Sequence, residues 1–208
     1  MTSHYYAFGS VCRGEIEPSS DIDLLACIAN PDPALDPQKF SIYKYERVRE
    51  LWLEGNPFAW HLHFESRLIF SSDGTDFLRD LGAPSPYVKI QDDCEKFKRL
   101  FSESYCSLLQ SQNSAVFHIS CLFLATRNFA TCYSFSGGRP IFSRNSPLLI
   151  DKKLPVDDEV FRIFARARVL STRGYGHHIS NAEIDIARST APVIYDWMKN
   201  ISAMGVGV

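Results

Sequence analysis

The hydrophobic pattern divides the chain into two parts. In residues 1 to about 70, short apolar runs and amphipathic stretches alternate, which predicts strand, helix, strand, helix and strand. The first strand is YYAFGS, a short helical turn follows at SVCRG, and DIDLLACIA is a second, buried strand. Apolar residues at helical spacing predict a helix over QKFSIYKYERVRELWLEGN. This order of elements indicates an α/β or α+β core.

The stretch that follows, PFAWHLHFESRLIF, alternates apolar and polar residues and predicts a third strand. Trp60, Leu62 and Phe64 fall on one face of this predicted strand. The opposite face is polar and consists of His61, His63 and Glu65. This polar face is therefore a candidate place for functional side chains.

Helical patterns dominate the second part of the chain. Amphipathic helices are predicted at VKIQDDCEKFKRLFSESYCSLLQSQ, DDEVFRIFARARVLSTRG and NAEIDIARSTAPVIYDWMKNIS. The helix at SAVFHISCLFLATRNFATCYSF is apolar nearly all round, so we expect it at the centre of a bundle. The segment GAPSPYV separates the two parts. We predict a core domain over residues 1–85 and a helical domain over residues 86–208.

Composition and charge exclude several classes of protein. The formal net charge is −2 over 208 residues, unlike the strongly basic balance of a dedicated nucleic-acid binder. No apolar run approaches the ~20 residues that span a bilayer, and the first residues lack the pattern of a secretory signal. The six cysteines form no C-x-x-C pair, which favours buried free thiols. These features predict a cytoplasmic protein that does not enter a membrane.

Asp21 and Asp23 lie two residues apart in the second predicted strand, so their side chains point the same way. Two like charges repel each other unless a cation lies between them. Magnesium prefers oxygen ligands and is usually held by one or two carboxylates plus substrate phosphates. Upstream, Gly9 permits a tight turn, and Ser10 begins the short helical turn, where a hydroxyl and backbone N–H groups can meet an anion. The stretch therefore predicts a site for a metal-bound triphosphate.

These residues resemble a known signature. GSVCRGEIEPSSDIDLL is similar to the motif of the DNA-polymerase-β-like nucleotidyltransferases, in which Gly-Ser and a spacer precede Asp-x-Asp in an apolar strand. Its Arg-Gly and Ser-Asp-Ile-Asp-Leu-Leu pieces look most like the minimal and aminoglycoside-type members. The resemblance implies an α+β fold, with a small mixed β-sheet and flanking helices followed by a C-terminal helical bundle that binds an acceptor or a partner. It also implies ATP or another nucleoside triphosphate as substrate, and Mg²⁺, with two ions expected.

The family pattern calls for a third acidic residue on a nearby strand. Glu65 is the only acid of the predicted polar face, and the resemblance implies that it completes the metal site or takes the acceptor proton. The expected catalytic and metal-binding residues are thus Asp21, Asp23 and Glu65. The expected nucleotide-binding residues are Gly9, Ser10 and Arg13, with Arg13 contacting the triphosphate or supporting the loop.

Three further side chains are candidates for a substrate cleft. His63 shares the predicted face of Glu65 and could lie near the metals or the substrate. Arg139 and Arg144 lie in SGGRPIFSRNS, a Gly-rich break between helices, where they could reach phosphate or an acidic substrate. The alternative for each of the three is an ordinary exposed side chain.

Two functions are consistent with these patterns. The first is a Mg²⁺-dependent nucleotidyltransferase that moves a nucleoside monophosphate, most simply AMP from ATP, to an acceptor hydroxyl and releases pyrophosphate. The second is a catalytically inactive nucleotide-binding or interaction module, for example an antitoxin-like partner. The intact aspartate pair favours the enzyme, and the position of Glu65 near its strand end favours the module. The acceptor, whether small molecule, protein or RNA, stays open, as does a homodimer.

Overall fold

The computed structural model of the protein describes residues 2–15, 22–110 and 113–203. These residues group into two compact units, Met1–Val88 and Lys89–Val208. The first unit combines a β-sheet with helices, and the second consists of helices and their connections. The predicted α+β class, with a helical C-terminal region, is therefore confirmed.

The first unit is built on a four-stranded sheet. Its strands are β1 (Ser3–Phe8), β2 (Asp23–Ile28), β3 (Phe40–Lys44) and β4 (Arg67–Ser71). The strand order is β3-β2-β1-β4. Strand β1 is antiparallel to both β2 and β4, whereas β2 and β3 are parallel. The sheet is therefore mixed, as predicted.

Helices cover one face of this sheet. They are α1 (Tyr45–Leu53), α2 (Pro57–Glu65) and the short α3 (Phe77–Asp80). Alternate residues of β1 are buried, so Tyr6 and Phe8 point toward these helices together with Leu25 of β2. Their partners in the core include Val48, Leu51, Trp52, Ala59 and Leu62. The first unit therefore has a hydrophobic core of its own between sheet and helices.

The predicted helix over QKFSIYKYERVRELWLEGN is wrong in its first part. Phe40–Lys44 form β3, and α1 begins only at Tyr45. Val48 and Leu51 are buried on α1, as the spacing indicates, whereas Phe40 pairs with Leu24 in the sheet. The chain passes from strand to helix with no Gly or Pro between them, so the apolar spacing of the two elements merges into one helical pattern.

The predicted strand over PFAWHLHFESRLIF is also wrong in its first part. Pro57–Glu65 form α2, and β4 begins at Arg67. The Asn56 side chain caps this helix by accepting a hydrogen bond from the Phe58 backbone N–H (2.9 Å), and Pro57 occupies the first turn. Asn followed by Pro is a helix-start signal that outweighs the apparent alternation.

The second unit is helical. Its helices are α4 (Ile90–Gln110), α5 (Ala115–Ser134), α6 (Ser146–Leu149), α7 (Asp158–Arg173) and α8 (Asn181–Ala203). Helix α5 packs against α4, α7 and α8. Its side chains Ile119, Leu122 and Phe129 are fully buried. Helix α5 is therefore the central helix of this unit, as its composition predicts.

One helical segment in the described part of the chain, Ala115–Gly137, is long and apolar enough to cross a membrane by length and composition. This differs from the expectation that no apolar run approaches that size. In the structure, 61% of its most apolar window is buried inside the protein. When other helices surround a helix that is apolar on all sides, they bury its apolar surface.

Candidate active site

The end of β1 and the start of β2 lie together at one end of the two central strands, and this end of the sheet is called its edge here. Phe8, the last residue of β1, pairs with Asp23, the first residue of β2. The next residue, Gly9, has φ +80°, and a Cβ placed on it would lie 2.5 Å from Oδ2 of Asp23. Only glycine adopts this backbone readily and leaves that carboxylate its space. The Gly-Ser turn and the second aspartate of the motif therefore lie side by side.

A single 3₁₀ turn follows Gly9. It spans Ser10–Arg13, and the backbone N–H groups of Cys12 and Arg13 donate to the carbonyl of Gly9. Gly14 ends the turn with φ +77°. The helical turn predicted at SVCRG is therefore present, with Ser10 at its start, and the role of Ser10 in holding phosphate stays a prediction.

Arg13 joins this turn to the end of α2. Its guanidinium donates to Oε2 of Glu65 and, at 3.0 Å, to Oε2 of Glu15. The Nε2 atom of His61, one helical turn before Glu65, lies 2.8 Å from the same Glu65 oxygen. The side chains of Arg13 and Glu65 are only 19% and 13% exposed. The positive charge of Arg13 is therefore offset by two carboxylates. The Oε2 atom of Glu65 lies close to both Arg13 and His61.

Burial and several charged groups shift the pKa of the Cys12 thiol on the 3₁₀ turn. Burial raises the pKa of Cys12, and the charge of Arg67 lowers it. The charges of Glu65 and Asp23 raise the pKa, and that of Arg13 lowers it. Helix α2, rather than a strand, carries Glu65, and a metal site shared by Asp23 and Glu65 stays a prediction.

The metal-binding prediction rests on Asp21 and Asp23. Asp21 lies outside the described residues, and within the described ones no group of three His, Cys, Asp or Glu side chains could hold a metal ion. Asp23 is exposed at the sheet edge, with Oδ2 in the space that a side chain on Gly9 would fill. An exposed carboxylate beside a glycine turn fits a divalent cation, which prefers oxygen ligands.

A comparison with known protein families assigns a class to the part of the chain that carries this candidate site. Residues 3–92 match the family model described as a nucleotidyltransferase domain. Residues 3–92 are a nucleotidyltransferase domain. The match confirms the resemblance to the DNA-polymerase-β-like superfamily, and it implies a nucleoside triphosphate as substrate. A search of curated proteins finds no match to the chain.

His63 does not share a face with Glu65 in the nucleotidyltransferase domain. The two residues were predicted on one strand face, but on helix α2 a separation of two residues turns them to different sides. His63 is exposed and contacts the rings of Trp60 and Phe64 at centroid distances of 5.8 and 5.2 Å. The structure therefore groups His61, not His63, with Glu65.

Arg139 and Arg144 belong to the helical unit. Arg139 is exposed and lines a pocket of about 390 Å³ together with Tyr133 and Asp151, whereas Arg144 is half-buried. Arg127, on the apolar helix α5, donates to the backbone carbonyl of Phe142 at 2.7 Å. Arg127 therefore helps to hold the connection after α5. Arg139 is the candidate cation of the pocket that Tyr133 and Asp151 also line.

The nucleotidyltransferase domain has another pocket, of about 390 Å³, on the β3 side of Asp23. Its lining includes Asp23, Gln38, Lys39, Phe40 and Ser41. The sequence assigned Lys39 and Ser41 to a helix, so it gave no reason to place them beside the aspartate motif. The parallel pairing of β2 with β3, with Leu24 opposite Phe40, is what brings them there.

Proposed function

We propose that the protein transfers a nucleoside monophosphate, most simply AMP from ATP, to an acceptor hydroxyl and releases pyrophosphate. The observation that carries this proposal is the contact between the glycine turn and the aspartate motif, where Gly9 leaves space for the Asp23 carboxylate. Phosphate cradling and metal binding need to be adjacent, because a divalent metal held there would neutralise charge on the phosphates.

Each part of the edge has a proposed role. Asp21 and Asp23 would hold divalent metal, which supplies charge neutralisation at the reacting phosphate. Gly9 and Ser10 would contact the β- and γ-phosphates. Arg13, whose guanidinium donates to Glu65 and Glu15, would keep the turn in place. Catalysis would then consist mainly of positioning and electrostatic stabilisation.

The test is a transfer assay with each of the four labelled ribonucleoside triphosphates and Mg²⁺ or Mn²⁺. Acceptors would include small alcohols, aminoglycosides, tRNA and candidate proteins, and pyrophosphate release would be measured with the labelled product. We expect turnover with ATP, and its loss in both Asp21→Asn and Asp23→Asn. Asp158→Asn, which changes an exposed aspartate in the first turn of α7, serves as control and should retain activity.

The inactive module is the second candidate, and one observation favours it. The predicted third carboxylate, Glu65, is engaged by Arg13 and His61. A site with only the aspartate pair for metal would bind a nucleotide without completing the metal cluster. Nucleotide binding that depends on Asp23, together with no transfer to any acceptor, would support this second candidate over the enzyme.

A further inference from the structure

The pocket on the β3 side of Asp23 lies across that residue from the phosphate-binding turn. In the strand order β3-β2-β1-β4, β2 carries Asp23 and separates β1, which leads into Gly9, from β3. Asp23 therefore contacts both regions: its Oδ2 adjoins Gly9, and the residue also lines the pocket. A phosphate held near Asp23 through a divalent metal would have the glycine turn on one side and the pocket on the other.

Phosphoryl and nucleotidyl displacements proceed with the attacking and leaving oxygens roughly in line. The acceptor oxygen forms a bond to the α-phosphorus while the bond from that phosphorus to the bridging oxygen breaks. Pyrophosphate leaves with the electron pair, and the acceptor proton passes to solvent water. If pyrophosphate leaves over Gly9 and Ser10, the acceptor must approach from the opposite side of Asp23, which is the side of β3.

We propose that this pocket is the acceptor subsite of the nucleotidyltransferase domain, and that it takes a small alcohol carrying a phosphate or another anionic group. The inference rests on the proposed function, because it uses the direction of the displacement. The volume of the pocket, about 390 Å³, falls in the range of small-molecule sites. The proposal also places the acceptor in the nucleotidyltransferase domain, whereas the sequence analysis expected the helical domain to bind it.

The lining carries one carboxylate, Asp23, and one cation, Lys39. Under the proposed function Asp23 would hold metal, which leaves Lys39 as the charge that an acceptor meets. Lys39 is the cation of the pocket, and its side chain is 75% exposed. Its nearest carboxylate, Asp36, lies 4.0 Å away and is itself half-exposed, so this surface pair binds weakly. Gln38 and Ser41 add polar groups, and Phe40 adds an apolar surface for a carbon skeleton. A polycation such as an aminoglycoside would meet Lys39 with the same sign of charge.

The experiment compares acceptors that differ in charge. Wild-type protein would be given ATP, Mg²⁺ and one of five acceptors: glycerol 3-phosphate, ribose 5-phosphate, glycerol, ribose or kanamycin, with tRNA as a macromolecular arm. We expect the two phosphate-bearing alcohols to have the lowest KM. Preferential transfer to kanamycin or to tRNA would overturn the proposal.

Charge variants on the two ends of β3 sharpen the test. Lys39→Glu should raise the KM for the phosphate-bearing alcohols by roughly tenfold or more, because a charge-assisted contact is replaced by repulsion. The KM for ATP should stay unchanged. Lys44→Glu is the matched control, since Lys44 is exposed at the other end of the same strand, opposite Ile28, and should leave both KM values unchanged. A Lys39→Glu effect on the KM for ATP alone would overturn the proposal.

A binding measurement separates this proposal from the proposed function. Calorimetric titration with ribose 5-phosphate, in the presence of Mg²⁺ and a non-hydrolysable ATP analogue, would be run on wild type, Lys39→Glu and Lys44→Glu. Binding that Lys39→Glu removes supports the subsite even if no variant turns over, and in that case the transfer reaction alone fails. Binding that Lys39→Glu leaves unchanged overturns the subsite even if transfer is active.

Discussion

Gly9 and Gly14 flank the 3₁₀ turn of the active site and both have positive φ, but their surroundings differ. A Cβ on Gly9 would lie 2.5 Å from Asp23 Oδ2, whereas a Cβ on Gly14 would meet no atom within 4 Å. A non-glycine residue in a left-handed conformation costs about 1 to 2 kcal/mol. Gly14, with ψ 11°, has this conformation, whereas Gly9 combines φ +80° with ψ −146°, a region that essentially only glycine adopts. Gly9→Ala should therefore lose more stability from backbone strain than Gly14→Ala.

Only Gly9→Ala should also displace the Asp23 carboxylate. We expect it to abolish Asp23-dependent binding of Mn²⁺ and ATP, while Gly14→Ala retains both. Urea denaturation gives the stabilities, and titration calorimetry gives the binding constants. Equal loss of binding in the two variants would show that the turn needs only flexible glycines and that the contact between Gly9 and Asp23 is not the feature that matters.

The contact between Arg13 and Glu65 makes a second prediction at the residue scale. Both side chains are largely buried, so removing one partner leaves the other charge poorly solvated. A double-mutant cycle with Arg13→Met and Glu65→Gln should give a coupling free energy of about 1 to 2 kcal/mol in urea denaturation. The exposed pair of Arg47 and Glu50 on α1 is the matched control and should give a smaller coupling.

The same variants test the two roles considered for Glu65. If Glu65 positions Arg13, Glu65→Gln should raise the KM for ATP and leave the Mg²⁺ concentration for half-maximal rate unchanged. Arg13→Met should then produce the same kinetic change. A large increase in the required Mg²⁺ concentration in Glu65→Gln alone would assign the residue to the metal instead.

At the scale of single elements, the start of α8 is held by a reciprocal cap. The Ser180 hydroxyl accepts from the Glu183 backbone N–H (3.3 Å), and the Glu183 carboxylate accepts from the Ser180 backbone N–H (2.8 Å). Glu183 also accepts from Arg166 of α7. The backbone hydrogen bond from Ser180 and the contact with Arg166 lower the pKa of Glu183 to about 2.

This lowered pKa makes a pH-dependent prediction. The unfolded chain binds a proton near the ordinary pKa of 4.5, so the stabilisation is fully present above that pH and is lost as pH falls toward 2. Glu183→Gln should flatten the fall in unfolding free energy between these pH values. Ser180→Ala should cost about 1 kcal/mol at neutral pH. Ser189→Ala, on the exposed surface of the same helix, is the control and should change neither quantity.

The elements that could be predicted from sequence are those with one clear periodicity. Strand β2, its turn from β1 and the long helices α4, α5, α7 and α8 follow their patterns. Strand β3 was missed because its five residues run directly into α1. Helix α2 was predicted as a strand because its apolar and polar residues alternate, although Asn56 and Pro57 signal a helix start. Local pattern therefore failed where pairing between distant segments decides the structure.

The candidate site was predictable to the extent that it lies within one continuous stretch. Gly9, Arg13 and Asp23 fall within fifteen residues of one another, so spacing alone places them together. His61 and Lys39 reach the same edge through the packing of α2 and the parallel pairing of β3. The periodicity of the sequence does not indicate how distant segments pack. The contact of His61 with Glu65 and the presence of Lys39 in the pocket lining could therefore not be derived from spacing.

At the scale of the whole molecule, each unit carries its own tryptophan reporter. In the first unit, the indole N–H groups of Trp52 and Trp60 donate to the carbonyls of Gly82 and Ser85, both at 3.0 Å. In the second unit, the indole of Trp197 donates to the carbonyl of Lys152 at 2.8 Å. The sequence contains three tryptophans. Fluorescence can therefore follow the unfolding of the two units separately.

A ligand that binds only folded protein raises the unfolding midpoint of the part that it binds. With Mg²⁺ and a non-hydrolysable ATP analogue at about 100 times the dissociation constant, the expected gain is about 2.7 kcal/mol. We expect this gain in Trp197→Phe, which reports through Trp52 and Trp60. The double variant Trp52→Phe/Trp60→Phe, which reports through Trp197, should show no gain. Asp23→Asn in the Trp197→Phe background should remove the gain. A shift of equal size in both reporter variants would mean that the two units unfold as one cooperative body.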